Sequence, residues 1–377
     1  MRDVHCAATL WNRTLHNGGT RKRPPGKGPN KAVVCELCPR QCRVADGNAG
    51  YCFARQNHDG QLVSAVYGRS TGFCLDPIEK KPLYHFLPGT ATLSFGTIGC
   101  NLGCRHCQNW QTSRCRSLVA LAEQASPERI VHAARQLGCP SVSLTYNEPI
   151  VWAEYAVDTA RACQAQGVKT VAVTNGYICP EPAKWFYEYI DAANVDLKSF
   201  RDPFYRNIAD GSLQPVLDTL VYLAKETGVW LEITNLIIPG ENDSPVELKD
   251  LCSWIVAELG DHVPLHFSAF HPAHRLLHRP STDTETLLRA FEIARSCGLR
   301  HVYLGNLAST QHQTTYCGHC GISLLERNSY GTSATGILLP AQEGGDATCS
   351  QCGKKLAGRF APAIGTWGNR RQAVRFS

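Results

Sequence analysis

Three cysteines in the first third of the chain have the spacing of a metal-binding loop. Cys100, Cys104 and Cys107 are arranged as Cys-x3-Cys-x2-Cys, directly after a short apolar run, and glycines interrupt the segment. This pattern predicts a loop that follows a strand. Three thiolates on such a loop can bind three irons of a [4Fe-4S] cluster and leave the fourth iron open to a small molecule. A zinc knuckle would need a fourth ligand nearby, and His106 is badly placed to be one because it is adjacent to Cys107.

Two further groups of cysteines have the spacing of metal ligands. Near the N terminus, four of them fall within a short polar stretch: Cys35, Cys38, Cys42 and Cys52. This set is compatible with zinc in a closed four-cysteine site and with an accessory iron-sulfur cluster, and we favour zinc. Near the C terminus, two Cys-x2-Cys-Gly units contain Cys317, Cys320, Cys349 and Cys352. They predict a zinc ribbon whose closed site has a structural role.

The composition limits the class of protein. The chain has 377 residues, 19 cysteines and a formal net charge of +6. Cysteines in short-range clusters indicate metal binding in a reducing compartment rather than disulfides, so we expect a cytoplasmic protein. No apolar run is long enough to cross a membrane. Much of the basic excess lies in the first 31 residues, which we interpret as a disordered arm rather than a nucleic-acid contact or a transit peptide.

The elements that must position the cysteine loop follow a repeated strand-then-helix pattern between residues 91 and 306. This pattern predicts an α/β fold with a parallel sheet, and six or seven units favour a partial (β/α)6-type TIM-like barrel over a complete one. The predicted strands are Thr92–Gly96, Ser141–Thr145, Thr170–Thr174, Ala193–Leu197, Trp230–Leu236, Leu265–Ala269 and His301–Leu304. The clearest predicted helices are Pro127–Leu137, which Ser126 can cap, and Thr284–Ser296.

These patterns divide the chain into five segments. We expect a disordered basic leader over residues 1–32, an N-terminal cysteine-rich metal-binding segment over 33–90 and the partial barrel over 91–306. A zinc ribbon over 307–360 and a flexible tail over 361–377 follow.

Polar residues occur at successive predicted strand ends. They are Glu148 after the second strand, Asn175 after the third, Asp196 and Lys198 at the fourth, and Glu232, Thr234 and Asn235 on the fifth. Right-handed crossovers put the carboxyl ends of parallel strands at one edge, so these residues predict a site beside the cysteine loop. Before the first strand, Lys80 and His85 lie in a segment without periodicity. The sequence is compatible both with a purely structural position for these two residues and with a role near the substrate.

The cysteine loop, with His106 before its third cysteine, resembles the radical S-adenosylmethionine (radical SAM) superfamily. Nearly the whole chain, from about residue 33 to 360, is similar to the radical SAM enzymes of the AmmeMemoRadiSam system. The resemblance rests on Cys35-x2-Cys38-Pro39, Gly50-x-Cys52, the segment 76–86, Gly99-Cys100-Asn101-Leu102-x-Cys104-x2-Cys107-Gln108-Asn109, Asn147-Glu148-Pro149, Thr174-Asn175-Gly176-Tyr177, Asp196-Leu197-Lys198, Gly305-Asn306 and the ribbon. The Asp-x-Lys pair resembles that of glycyl-radical activating enzymes such as the pyruvate formate-lyase activating enzyme.

The resemblance implies a [4Fe-4S] enzyme that binds S-adenosylmethionine (SAM). The methionine moiety would chelate the open iron, with Glu148 accepting from its amine and Lys198 meeting its carboxylate. Asn175 or Asp196 would bind the ribose, and His106 would belong to the cofactor-binding residues. In the superfamily a Gly-Gly-Glu segment binds the amine, whereas here Tyr146-Asn147 precede the glutamate. Reductive cleavage of SAM would then produce a radical that abstracts hydrogen from a substrate.

Three functions follow as hypotheses. The first is a radical SAM enzyme with a small-molecule or nucleoside-like substrate, and the second is an activase that installs a glycyl radical on a protein partner. The third is a non-enzymatic, zinc-stapled module that binds nucleic acid. We favour the first and expect an electron donor such as a flavodoxin or a ferredoxin. The other proteins of the AmmeMemoRadiSam system are further candidate partners, and neither a membrane nor nucleic acid is expected as one.

Overall fold

A nine-stranded, mostly parallel sheet forms the centre of the molecule. The computed structural model describes residues 6–7, 12–14, 31–118, 121, 123–344 and 347–375. In chain order the strands of this sheet are β1 Phe73–Pro77, β2 Ala91–Phe95, β3 Ser141–Leu144, β4 Lys169–Thr174, β5 Ala192–Asp196, β6 Trp230–Ile237, β7 Leu265–Ala269, β8 Val302–Gly305 and β9 Gln372–Val374. Their order across the sheet is β8-β7-β6-β5-β4-β3-β2-β1-β9.

Strands β2 to β8 are parallel, and each pairs with the next along the chain. Strands β1 and β9 extend the sheet in antiparallel pairing on the side of β2. The prediction of an α/β fold with a parallel sheet is therefore confirmed, and each of the seven predicted strands lies within one residue of its observed bounds. Closure into a barrel is not seen: the outer strands β8 and β9 do not pair among the described residues.

The central strands form where the sequence is apolar without strict alternation. Every residue of β2 and of β3 is buried, serines included. Continuous burial is typical of parallel strands covered on both faces. The buried hydroxyl of Thr92 therefore pairs with Ser143 on the neighbouring strand at 2.7 Å instead of with water.

Eight α-helices lie within the described part of the chain. They are α1 Trp110–Ser113, α2 Pro127–Gln136, α3 Ala153–Ala165, α4 Pro180–Tyr187, α5 Asp202–Phe204, α6 Gln214–Glu226, α7 Pro245–Trp254 and α8 Thr284–Ser296. The predicted cap is present, since the Ser126 hydroxyl accepts from the Arg129 amide. Two 3-10 helices, Ile78–Lys80 and Pro149–Trp152, and two π-helices, Tyr205–Ala209 and Ile255–Leu259, complete the helical structure of the described residues.

The N-terminal cysteine-rich segment packs onto the same core through short antiparallel sheets. One contains Asn12–Thr14, Val33–Cys35 and Arg43–Val44, and a second contains Cys6–Ala7, Arg55–His58 and Gln61–Ser64. Arg69–Ser70 pairs with Glu123–Gln124. Val33, Leu37 and Ala54 belong to the main hydrophobic core, so the segment is part of the central fold.

The C-terminal segment has a small core of its own. Two three-stranded antiparallel sheets build it, Thr315–Tyr316 with Ser323–Asn328 and Gly331–Ala334, and Ile337–Leu338 with Ala347–Cys349 and Lys355–Leu356. Leu324, Leu325, Leu356 and Phe360 are buried together between these sheets. A core of this size is small, which favours stabilisation by a bound metal.

Two of the predicted flexible segments contain strands. In the tail expected to be flexible, β9 pairs with β1 and gives the backbone groups of that edge hydrogen-bond partners. Most of the leader over residues 1–32 lies outside the described residues, but Cys6–Ala7 and Asn12–Thr14 are strands rather than the disordered chain expected there. In the described part of the chain, no helix has the length and apolar character that a membrane crossing requires.

Candidate active site

A cavity of about 370 Å³ opens at the carboxyl ends of the parallel strands. The loops after β2, β3, β4 and β5 supply most of its wall. It contains all eight residues predicted for the cluster and its ligand: Cys100, Cys104, His106, Cys107, Glu148, Asn175, Asp196 and Lys198. Parallel strands joined by right-handed crossovers bring these residues, spread over almost a hundred positions of sequence, to one site.

Backbone contacts fix the cysteine loop. Gly103 and Arg105 donate their amides to carbonyls of the π-helix after α5, each at 2.8 Å. Gly99 has a φ of +94°, and a Cβ atom at this position would overlap the carbonyl oxygen of Cys52. The loop therefore depends on glycine both for its backbone conformation and for close packing.

The three thiols of the loop are partly buried at the wall of the cavity. Burial raises the pKa of Cys104 to about 11 and raises the pKa of Cys100 as well. Without a metal Cys100 and Cys104 are therefore neutral thiols, and binding of iron would displace their protons. Three soft sulfur donors on one loop, facing a common cavity, fit a [4Fe-4S] cluster with one iron left without a protein ligand.

Glu148 is held by three hydrogen-bond donors at the end of β3. Its carboxylate accepts from the Thr174 hydroxyl at 2.6 Å, the Asn175 amide at 2.8 Å and the Ile150 amide at 3.1 Å. Burial nevertheless raises its pKa to about 7. A buried carboxylate of this kind is stabilised by a nearby cation, and an ammonium group in the cavity would provide one.

Asn175 is oriented towards the cysteine loop. Its side-chain nitrogen donates to Asn101 Oδ1 at 2.9 Å and lies 3.7 Å from Cys100 Sγ. Its side-chain oxygen accepts from the Tyr177 amide at 2.9 Å. The amide of Asn175 therefore positions the loop and the Cys100 sulfur in addition to lining the cavity.

Asp196 and Lys198 form an ion pair at the end of β5. Lys198 Nζ lies 2.8 Å from Asp196 Oδ2. The side chain of Lys198 is 13% exposed and that of Asp196 is 38% exposed. Burial alone would lower the pKa of Lys198, but Asp196 and Cys104 outweigh it and the pKa is raised. The ammonium of Lys198 therefore stays charged and can meet an anionic group.

The ring of His106 is buried at the wall of the cavity. Burial, reinforced by Lys198, lowers its pKa to about 3, so the imidazole is neutral. Its Nδ1 atom has no hydrogen-bond partner among the described residues. A buried ring nitrogen without a partner is costly in a closed protein and is available to a ligand in this cavity.

Several residues of the wall were not predicted as site residues from the sequence. Ser268 lies near the end of β7 and Asn306 directly follows β8. Tyr146 has a φ of +69° and donates its hydroxyl to Asp76 at 2.6 Å. The signal for Ser268 was present in the sequence as a hydroxyl one residue before a predicted strand end.

Three polar residues considered from the sequence lie outside this cavity; one is Asn235, whose side chain donates to the Leu197 carbonyl at 2.7 Å. Glu232, near the start of β6, accepts from the amides of Tyr84 and His85 at 2.9 and 2.7 Å and from His266 at 2.6 Å. His85 is fully buried and contacts Tyr303 at 2.6 Å. Both belong to a packed polar network, whereas Lys80 and Thr234 line the cavity.

The other two cysteine groups lie outside the cavity. Cys317, Cys320, Cys349 and Cys352 form a compact cluster whose sulfur atoms are all within 4.8 Å of one another. A cysteine cluster near the C terminus is therefore confirmed, and the identity of its metal stays a prediction. Cys35, Cys38, Cys42 and Cys52 line a separate small cavity beside the cysteine loop.

Comparison with known proteins agrees with this geometry. The model of the radical SAM superfamily matches residues 95–252. An uncharacterized protein of Methanocaldococcus jannaschii is 40% identical over 324 residues, which cover 86% of this chain and 95% of that protein. The pyruvate formate-lyase 1-activating enzyme of Escherichia coli is 27% identical over 165 residues, which cover 41% of this chain and 64% of that enzyme.

Among solved structures, a radical SAM methyltransferase from Sphaerobacter thermophilus aligns with a TM-score of 0.46 at 16% identity, over 58% of this chain and 66% of that one. The superfamily match begins in β2 and ends in α7, so it contains the whole cysteine loop together with Glu148, Asn175, Asp196 and Lys198. This match and the long alignment with the Methanocaldococcus protein show that the chain belongs to the radical SAM superfamily.

Proposed function

We propose that the protein is the radical SAM enzyme of an AmmeMemoRadiSam system and that it acts on a small-molecule or nucleoside-like substrate. One observation carries the proposal. The three cysteines of the loop share a single cavity with a buried carboxylate, Glu148, and a buried ammonium, Lys198. A zwitterionic amino-acid moiety such as that of SAM needs one partner of each sign.

In this proposal Cys100, Cys104 and Cys107 bind three irons of a [4Fe-4S] cluster. Glu148 accepts from the SAM amine, while Lys198, kept charged by Asp196, meets the SAM carboxylate. The bound cluster supplies the electron for cleavage of SAM into methionine and a radical that abstracts hydrogen from the substrate. Asn175 or Asp196 binds the ribose hydroxyls, and His106 belongs to the cofactor-binding residues; all three line the same cavity.

A second candidate is activation of a glycyl-radical enzyme. It is favoured by the Asp196-x-Lys198 pair and by the similarity to the pyruvate formate-lyase 1-activating enzyme. In this case the hydrogen would come from a glycine of a partner protein that docks over the cavity. Membership of the superfamily weighs against the non-enzymatic nucleic-acid module. In either enzymatic case the electron would come from a donor such as a flavodoxin or a ferredoxin.

Reductive cleavage of SAM is the test. The anaerobically reconstituted protein with dithionite and SAM should release 5′-deoxyadenosine, and Cys104→Ala should abolish the release. The control is Cys297→Ala, because Cys297 lies at the end of α8, outside the cavity. Retained cleavage in Cys104→Ala would refute the proposal. With wild-type protein, transfer of label into 5′-deoxyadenosine from a small molecule, or a glycyl-radical signal on a partner protein, separates the two candidates.

A further inference from the structure

The four cysteines of the N-terminal segment line one small cavity. Cys35, Cys38, Cys42 and Cys52, here called the N-terminal quartet, line it together with apolar residues that include Leu37, Ile150 and Val151. Two of the four are fully buried, and the others are partly buried.

A buried arginine lies against the N-terminal quartet with one donor unused. Arg55 is 1% exposed and binds Glu154 through both terminal nitrogens, at 2.8 and 2.9 Å. Its Nε atom has no hydrogen-bond partner among the described residues, and the side chain lines the quartet cavity. A buried N–H without a partner is destabilising. Sulfur carried by a bound metal centre would offer the acceptor that the quartet cavity otherwise lacks.

The spacing of the sulfur atoms distinguishes the N-terminal quartet from the C-terminal one. Four sulfurs around one zinc lie about 3.8 Å apart, given zinc–sulfur bonds of about 2.3 Å. The C-terminal sulfurs approach this spacing, with pairs at 3.5 and 3.6 Å. In the described part of the chain no other group of three or more possible ligand atoms lies within 4.8 Å. The N-terminal quartet shares its wider spacing with the three cysteines of the active-site loop.

The N-terminal quartet also adjoins the active-site loop. Asn101 lines the quartet cavity, while its neighbour Cys100 lines the active-site cavity. The carbonyl oxygen of Cys52 packs directly on Gly99. Arg40, another residue of the quartet cavity, donates to the carbonyl of Asn101. The active-site loop and the N-terminal quartet are therefore in direct contact through Gly99 and Asn101.

From the shared cavity, the unused Arg55 donor, the wide sulfur spacing and this contact, we propose that the N-terminal quartet binds a second iron-sulfur cluster that relays electrons to the active site. The relay role rests on the proposed function. In each turnover a flavodoxin- or ferredoxin-type carrier gives one electron to the quartet cluster, which passes it to the cluster at the active-site loop and is reoxidised. There the electron breaks one carbon–sulfur bond of SAM. This assignment replaces the zinc favoured from the sequence.

The surface outside the N-terminal quartet suits the docking of such a carrier. Arg40 and Arg114 lie over the ring of Tyr51, at 3.5 and 4.8 Å from its centroid, and Arg116 lies 4.5 Å from the centroid of Phe53. Asp210 forms an ion pair with Arg40, so the three arginines and this carboxylate together leave a net positive surface, which attracts a negatively charged protein. Arg40 and Tyr51 also line the quartet cavity, so the carrier would dock directly over the quartet cluster.

Metal analysis tests the quartet cluster without any need for SAM cleavage. The triple variant Cys100→Ala, Cys104→Ala, Cys107→Ala should keep about four iron atoms and as many sulfides per chain, with the electron paramagnetic resonance signal of a reduced cluster. Cys38→Ala with Cys42→Ala should lose about half of the wild-type iron, and Cys297→Ala should lose none. A triple variant that holds only zinc would overturn the proposal, whether or not the wild type cleaves SAM.

The choice of reductant tests the relay. With reduced flavodoxin, release of 5′-deoxyadenosine by the Cys38→Ala, Cys42→Ala variant should slow about tenfold or more. With dithionite, which can reduce the active-site cluster directly, its rate should stay within about twofold of wild type. Equal rates with flavodoxin would overturn the relay. Absence of cleavage by the wild type with both reductants, alongside iron in the triple variant, would refute the proposed function and leave the second cluster standing.

Discussion

Glu148 shows how one residue combines several physical demands. Three donors hold its carboxylate in place, yet burial keeps its pKa near 7. The side chain is therefore positioned but not fully stabilised. In the proposed function the missing stabilisation comes from the SAM amine, because a charged hydrogen bond in a buried site is stronger than a neutral one.

Glu148→Gln should weaken SAM binding without removing iron. Loss of a charged hydrogen bond costs about 1.5–3 kcal/mol, which corresponds to about 10- to 150-fold in affinity. Equilibrium dialysis of SAM against the reconstituted variant, together with iron analysis, measures both quantities. Glu128→Gln is the control, since Glu128 is exposed on α2. An unchanged affinity at full iron content would contradict the assigned role.

At the residue scale, the sequence predicted local patterns better than positions along a strand. The cysteine spacing and the polar residues that directly follow strands led to the residues that line the cavity. Glu232 and Asn235 were predicted to lie beside these residues only because both belong to strand β6. Glu232 is the third residue of this eight-residue strand and lies in the packed network with His266 instead. Which side chains of a strand reach its carboxyl end depends on the pairing register, and a single sequence does not contain it.

At the scale of elements, the strands and the longer helices followed from apolar runs, amphipathic periodicity and caps. The predicted helix Thr284–Ser296 has its predicted bounds, and the carboxylate of Asp283 accepts from the Thr286 amide at 2.7 Å. Strand β9 was not predicted, because it forms only by pairing with β1, about 300 residues away. Such long-range pairing is specified by the partner edge rather than by local propensity.

The cysteine loop is an element whose conformation depends on one glycine. Gly99→Ala would force a residue with a Cβ atom into a φ of +94°, at about 1–2 kcal/mol, and would also overlap Cys52. We expect the variant to lose iron from the active-site loop and to unfold at lower temperature. The measurements are iron content after reconstitution and thermal unfolding.

The matched control for Gly99→Ala is Gly138→Ala. Gly138 has a φ of +68° and no atom within 4 Å of the added Cβ, so it carries the backbone strain without the overlap. It should lower stability by about 1 kcal/mol and leave the iron content unchanged. Equal iron loss in both variants would mean that general destabilisation, and not the position of the loop, is responsible.

At the scale of the whole molecule, the C-terminal segment is joined to the central sheet by buried polar contacts. Arg327 donates to the Tyr84 carbonyl at 2.5 Å and to the Thr315 hydroxyl at 2.8 Å. His85 bonds to the Ala357 carbonyl at 2.8 Å. The segment that precedes β2 is thus held between the sheet and the C-terminal segment, so the stability of one part affects the other.

Cys352→Ser should therefore remove one zinc per chain and destabilise more than the C-terminal segment alone. The sequence predicts zinc at these cysteines. Structural zinc contributes directly to folding free energy, and the small core around Leu324 and Leu356 would depend on it. We expect a lower midpoint of thermal unfolding, with iron at the active-site loop retained at low temperature. Zinc analysis and calorimetry test this. Wild-type zinc content in the variant would show that the C-terminal cysteines are not its ligands.

Acid should destabilise the molecule through His85. Burial lowers its pKa to about 3, with a further contribution from His301. The Ala357 carbonyl can only accept, so Nδ1 carries the proton and Nε2 accepts from the Tyr303 hydroxyl. The unfolded chain binds a proton to this histidine below a pH of about 6.5, whereas the folded protein does not until about pH 3. The contribution to stability is therefore complete above pH 6.5 and is lost as the pH falls towards 3.

The pH dependence of unfolding in wild type and His85→Gln measures this effect. Between about pH 6 and pH 4, His85 should make the free energy of unfolding fall by about 1.4 kcal/mol per pH unit. His85→Gln should be less stable at pH 7, because the paired ring is lost, but its stability should fall less steeply with acid by that amount. His132→Gln, at an exposed position on α2, should keep the wild-type slope. If the free energy of unfolding falls with decreasing pH equally in His85→Gln and in wild type, the imidazole is already protonated in the folded protein. His85 Nε2 would then donate to the Tyr303 hydroxyl instead of accepting from it.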